Sequence, residues 1–141
     1  MTRLGKDTLR FDAPVRAYRC TGPRAQIRGG LLLQGVNGSN GVVVWLRTPD
    51  SITTGAWPLL QRGDTVSPRG ATVGVRFLIG EAARGAPLDS GTVWVTRADS
   101  AVALVARGAG TETLTPTRLA VEATFDAVPV SPDTVSCRSQ M

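Results

Sequence analysis

From Arg118 to Ala127 the side chains alternate. Leu119, Val121, Ala123, Phe125 and Ala127 interleave with Arg118, Ala120, Glu122, Thr124 and Asp126. A strand throws successive side chains to opposite faces, so this pattern specifies a half-buried β-strand with one face on a core. Wound as a helix, the same stretch would put Glu122 and Asp126 beside Leu119 and Ala123, burying charge against apolar surface. The period of two recurs. Val73, Val75, Phe77 and Ile79 alternate with Gly74, Arg76 and Leu78; Val93 and Val95 with Trp94 and Thr96; Val102, Leu104 and Ala106 with Ala103, Val105 and Arg107. β-Branched residues dominate these runs, as a pleated and half-buried surface prefers.

Turn chemistry separates the runs. Two Asn-Gly pairs in Gly35-Val36-Asn37-Gly38-Ser39-Asn40-Gly41 lie between Leu31–Leu33 and Val42–Leu46. Asn and Gly tolerate positive φ, which predicts a hairpin, with more than two loop residues expected. Ala98-Asp99-Ser100 predicts a second short hairpin, Ser67-Pro68-Arg69-Gly70 a turn, and Gly108-Ala109-Gly110 the start of a looser connection. Gly80 to Ser90 is the longest interruption, with room for one helical turn at Glu81-Ala82-Ala83-Arg84. Pro58 demotes Trp57-Pro58-Leu59-Leu60 to an edge strand or loop, because proline cannot donate to a ladder. Pro129 and Pro132 are expected to end the Phe125 strand.

The predicted fold class is therefore all-β, an antiparallel β-sandwich of about 8 short strands, with a barrel as the alternative. At 141 residues and 42% hydrophobic content, one domain can bury a core without metal. No run approaches the roughly 20 apolar residues of a membrane helix. Met1 to Asp7 carry no apolar stretch of the signal-peptide kind. On this reading the chain is either not exported or begins after a removed segment.

Charge is distributed unevenly. Residues 1–28 hold Arg3, Lys6, Arg10, Arg16, Arg19, Arg24 and Arg28 against Asp7 and Asp12, whereas residues 29–141 are balanced, so the whole net charge of +5 belongs to the N-terminal segment. The chain thus divides into a basic segment, 1–28, that includes the first strand or strands, and the remainder of a single β domain, 29–141. Fifteen of the sixteen basic residues are arginine; codon bias in a GC-rich genome is the expected reason, and a selected set of phosphate-binding forks the alternative. A cationic stretch of this kind attracts an acidic protein partner, an anionic surface or, less expectedly, nucleic acid. The segment offers only Phe11 and Tyr18 for base stacking.

Cys20 and Cys137 stand near opposite ends. Terminal strands of a sandwich often meet, so a disulfide between them is geometrically natural and points to a periplasmic or extracellular, oxidising compartment. Two reduced thiols in a cytoplasmic protein are the alternative.

Catalytic chemistry is thinly represented. With no histidine, Ser-His-Asp and Cys-His sites are impossible within the chain, and two distant cysteines give no metal pattern. No cofactor is implied. Leu88-Asp89-Ser90-Gly91-Thr92 resembles the Asp-Ser/Thr-Gly-Thr signature of aspartic proteases, in which two such aspartates share a proton. That resemblance would imply a catalytic role for Asp89, but Gly85-Ala86-Pro87 replaces the apolar strand that precedes the family's aspartate. Arg62-Gly63-Asp64 matches the integrin-binding tripeptide, and Asn37-Gly38-Ser39 a glycosylation sequon. Trp45, Trp57 and Trp94 are the amphipathic groups that would form a partner surface if exposed. These features predict a non-enzymatic accessory module of a bacterial envelope. It would dock on a larger, membrane-associated assembly through its surface and Arg-rich segment. The alternatives are a β-barrel carrier of a small ligand, lined by Trp and Phe, and a carboxylate-based hydrolase.

Overall fold

The computed structural model describes residues 2–4, 15–21, 30–38, 40–48, 51–61, 64, 67–79, 82–112 and 117–136. They form nine strands and no helix: β1 (Thr2–Leu4), β2 (Val15–Thr21), β3 (Gly30–Asn37), β4 (Asn40–Arg47), β5 (Gly55–Pro58), β6 (Gly70–Ile79), β7 (Ala82–Ala98), β8 (Ala101–Thr111) and β9 (Arg118–Ser136). The all-β expectation holds.

Two of the strands are long, and they make the architecture. β7 runs for 17 residues and β9 for 19. The first part of β7 pairs with β6 and the second with β8. β9 likewise pairs with β8 and then, from Val130, with β2. A front sheet, β1-β9-β8-β7-β5, and a back sheet, β9-β2-β3-β4-β6-β7, therefore share both long strands, and the hydrogen bonds close into a ring. This is a sandwich sealed along both sides. All named strand pairs are antiparallel except β2 with β9, which run parallel because β9 crosses from the front sheet and arrives alongside β2 in the same direction.

Each crossing has a local cause. In β7 the register slips between Leu88 and Ser90, leaving Asp89 as the extra residue of a bulge. In β9 it slips opposite Val102 and Leu104, where Ala127 takes a φ of 39°. Gly91 follows the first crossing with a φ of 131°. A Cβ there would collide with the carbonyl oxygen of Arg107 on β8, so only glycine lets the two strands approach.

Inward positions of both sheets meet in one core. Leu33, Val44, Leu46 and Val75 from the back sheet face Val93, Leu104, Ala106 and Phe125 from the front, all almost fully buried. Burying each of the larger side chains stabilises the fold by about 1.5–3 kcal/mol.

Four sequence expectations need correction. Residues 82–90 are strand throughout, not a helical turn. The run from Ala82 to Pro87 finds ladder partners on β6, from Ile79 back to Gly74. Gly108-Ala109-Gly110 remains in β8 because close packing against β7 requires its glycines. Pro129 and Pro132 do not end β9. They fall where it leaves β8 for β2, a stretch in which a missing N–H is tolerated. The β3–β4 turn holds two residues, since Asn37 pairs directly with Asn40 and Gly38 supplies the positive φ. The Ala98–Ala101 hairpin forms as expected, and β5, which carries Pro58, lies at an edge.

Candidate functional site

Assembling the ring separates the charges in a way the linear order conceals. β2, β3, β4 and β6 contain no Asp or Glu, yet they carry Arg16, Arg19, Arg47 and Arg76. Most acids of the front side are neutralised. Asp89 pairs with Arg118, Asp99 with Arg97, Glu122 with Arg107, and the buried Glu112 with Arg84. Arg16, Arg19 and Arg76 are exposed, and no described carboxylate lies in ion-pair range of them. The exposed acid nearest in register is Asp133, beside Thr134, the partner of Arg19.

The ladder places these groups. Arg16 pairs with Gln34, Gln34 with Val43, and Val43 with Gly74, so these four share a row across the outer back face. Arg76 stands on the next outward position of β6, opposite Gly41. Three strand spacings of about 4.8 Å put the Arg16 and Arg76 backbones roughly 14 Å apart across the sheet. Tyr18, one outward position from Arg16, lies within reach of its guanidinium, with Nη1 3.5 Å from the phenol oxygen. The phenol interaction raises the Arg16 pKa further, so its charge is fixed.

Arg47 has a different role. Only 4% exposed, it donates from Nη1 to the Ser67 carbonyl at 3.1 Å, lies 3.8 Å from Asp64, and stacks 4.7 Å from the Trp45 ring centroid. Burial lowers its pKa, and the Asp64 carboxylate partly offsets this. Asp64 also accepts from the Ser67 N–H at 2.9 Å and the Ser67 hydroxyl at 2.6 Å. A carboxylate so engaged is tied to its own turn, which weighs against adhesion through the Arg62-Gly63-Asp64 tripeptide; Arg62 and Gly63 lie outside the described residues.

The three tryptophans occupy three environments. Trp94 is 50% exposed on the outer front face. Trp45 is half-buried on the outer back face. Trp57 is not available to a partner surface: it is 0% exposed, because β5 turns its side chain into the core opposite Val93. Its indole N–H donates to the Thr53 carbonyl at 2.9 Å, and Arg69 lies 3.9 Å from the ring centroid. The tryptophans therefore form no common patch.

Asp89, the aspartate of the protease-like motif, is held by Arg118. Nη1 reaches Oδ2 at 2.9 Å and Nη2 reaches Oδ1 at 2.6 Å, while Nη2 also meets the Ser90 hydroxyl at 3.0 Å. These hydrogen bonds hold the carboxyl below its ordinary pKa. The fork occupies both carboxylate oxygens, through which a pair of catalytic aspartates would share a proton. Among the described residues no three of His, Cys, Asp or Glu gather as metal ligands, and no helix is long and apolar enough to cross a membrane. The inward side chains of the two sheets pack into one cluster.

Of the basic segment, Arg16 and Arg19 lie on β2, and the backbone of Arg3 pairs with Glu122 in β1. Lys6, Arg10, Arg24 and Arg28 lie outside the described residues, as does Cys137. Cys20 is buried on the outer back face with Leu32 and Val43, and its ladder partner is Val135. Arg76 was missed as a site residue. Period two marks it as outward, but only strand pairing shows that it shares a face with Arg16. No known protein family, characterised protein or solved structure matches the chain.

Proposed function

We propose that this chain is a non-enzymatic accessory β-domain that docks on an acidic surface of a larger, envelope-associated protein assembly. Docking uses the outer back face and the Arg-rich N-terminal segment. One observation carries this reading. Four adjacent strands lack any acid and present Arg16 and Arg76 on their outer face, while most acids of the front side are held in ion pairs. A surface of one sign steers and holds a partner of the other. The fork on Asp89 and the packed interior support an accessory role over hydrolysis or ligand transport. A disulfide between Cys20 and Cys137, part of this proposal, implies an oxidising compartment.

The test is retention on immobilised poly-glutamate in a salt series. Raising ionic strength from 0.1 M to 1 M shortens the screening length from about 10 Å to about 3 Å, and should release the protein. Arg16→Glu and Arg76→Glu should each elute at lower salt, and Arg97→Glu on the front side should elute unchanged. Equal retention of all variants would overturn the proposal, and so would tighter binding to duplex DNA than to poly-glutamate. Truncation is a poor substitute, because residues 15–21 are β2, which joins β9 to β3 in the ring.

A further inference from the structure

The chain holds two asparagines, Asn37 and Asn40, and each precedes a glycine. Such a pair can cyclise, because no Cβ shields the glycine nitrogen from the asparagine side chain. The fold treats the two pairs differently. Asn37 and Gly38 are exposed at the tip of the β3–β4 hairpin, and a Cβ built at Gly38 would meet nothing within 4 Å. Gly38 lies beyond the ladder, whose last rung is Asn37 with Asn40. Gly41, by contrast, sits inside the sheet, paired with Val36 of β3 on one side and Arg76 of β6 on the other. A Cβ there would lie 3.4 Å from the Gly35 carbonyl oxygen, and Asn40 is half-buried.

We propose that Asn37 is a site of spontaneous deamidation and that the sheet protects Asn40 from the same reaction. The Gly38 backbone nitrogen attacks the Asn37 side-chain carbonyl carbon, forming the ring bond of a succinimide. The Cγ–Nδ2 bond breaks, and the Gly38 amide proton leaves with the side-chain nitrogen as ammonia. Water then opens the imide. Addition at one carbonyl yields aspartate at position 37, and addition at the other yields isoaspartate. Ring closure requires the backbone between the two residues to turn, which is easiest at the end of a ladder, where local opening needs least free energy. The Gly41 nitrogen can reach Asn40 only after pairings with two strands are broken. The product carries charge where these strands had none of that sign. β2, β3, β4 and β6 contain no acid, and position 37 lies two strand spacings, about 10 Å, from Arg76. That equals the screening length of about 10 Å at 0.1 M salt, so the new carboxylate weakens the field of the arginine face. Ageing of the hairpin thereby loosens the hold on an acidic partner. This consequence, unlike the modification itself, rests on the docking reading above.

Peptide mapping by mass spectrometry tests this, on the folded chain and on the chain unfolded in urea, after incubation in mildly alkaline buffer. In the folded protein the mass gain of amide exchanged for acid is expected about tenfold faster at Asn37 than at Asn40, a ratio that a difference of about 1.4 kcal/mol in local opening supplies. In urea the two sites should react at similar rates, since each precedes a glycine. Asn37→Gln, which must close a larger ring, should abolish the fast reaction. Equal rates in the folded chain, a faster reaction at Asn40, or no conversion at Asn37 would overturn the assignment. The aged fraction should also leave poly-glutamate at lower salt than fresh protein, and Asn37→Asp should do the same. Co-elution of both with fresh protein would overturn the consequence and leave the modification standing. Failure of fresh protein to bind poly-glutamate would overturn docking, and the consequence with it, but not the modification.

Discussion

Arg118, the first residue of β9, grips both carboxylate oxygens of Asp89, the bulged residue of β7, at 2.9 and 2.6 Å. The same guanidinium reaches the hydroxyls of Ser90 at 3.0 Å and of Thr111, at the end of β8, at 3.3 Å. Gln61 adds a bond to the Asp89 carbonyl at 2.6 Å. One arginine thus ties three strands together where β7 passes between sheets. A sequence that looks catalytic in isolation becomes a corner brace in the fold.

The brace has a pH signature. Arg118 holds the Asp89 carboxyl below its ordinary value of 3.8. A depressed carboxyl stabilises the fold above that ordinary value, and the contribution is lost as pH falls through the lower folded-state value. Asp89→Asn should therefore melt below wild type at neutral pH, and the two melting curves should converge in acid below 3.8. A difference that stays constant down to the most acid conditions would disprove the brace.

Gly91 is expected to tolerate no side chain. Its φ of 131° and the approach of the Arg107 carbonyl leave no room for a Cβ. Gly91→Ala should cost about 3 kcal/mol, measured by urea denaturation. Gly38, at the open tip of the β3–β4 hairpin, meets nothing within 4 Å, so Gly38→Ala should cost about 1 kcal/mol through its φ of 61° alone.

Ala127 predicts a gain. It sits in the left-handed region at a φ of 39°, at the bend of β9. Relief of about 1–2 kcal/mol of strain, less about 0.5–1 kcal/mol of added chain entropy, should make Ala127→Gly more stable by about 0.5 kcal/mol. Ala127→Val should be less stable, since a β-branched side chain resists that conformation more. Denaturant midpoints of the three proteins give the order directly.

Trp57 and Trp94 should respond unequally to substitution. Trp57→Ala removes a fully buried indole and should cost about 3–5 kcal/mol. Trp57→Phe keeps most of the packing but loses the bond to Thr53, about 1 kcal/mol. Trp94→Thr should leave stability within about 0.5 kcal/mol of wild type. Thermal melts separate the three.

Cys20 and Cys137 are expected to be bonded. β9 runs parallel to β2 through the pairs Cys20 with Val135 and Thr21 with Ser136, the residue before Cys137. Closing a loop of more than 100 residues contributes about 4–5 kcal/mol in the chain-entropy account. Native protein should resist alkylation, migrate faster on a non-reducing gel and melt at lower temperature after reduction. Two thiols freely alkylated in the folded protein would refute the bond.

The alternating runs were legible from side-chain period alone. Val73–Phe77, Val93–Val95, Val102–Ala106 and Val121–Phe125 all bury the residues that the pattern marks as inward. The edge position of β5 followed from Pro58, and the β3–β4 hairpin from its Asn-Gly pairs. The β7 crossing was hidden because Ala82–Pro87 has no contrast between its faces. Its small residues look like a break and become strand only when β6 supplies hydrogen-bond partners. Trp57 was hidden for a related reason. Nothing within Gly55–Pro58 shows which way the strand faces until it is laid against β7.

What the sequence determined by itself is local: period-two burial, where turns fall, the concentration of charge before residue 29, and a residue inventory without histidine. Strand order, ring closure, the union of Arg16 with Arg76 on one face and the capture of Asp89 by Arg118 were decided by tertiary structure. The reason is that side-chain alternation constrains only the two faces of each strand. Which strands become neighbours depends on contacts between residues far apart in the chain, and those are settled by burial of the whole core at once.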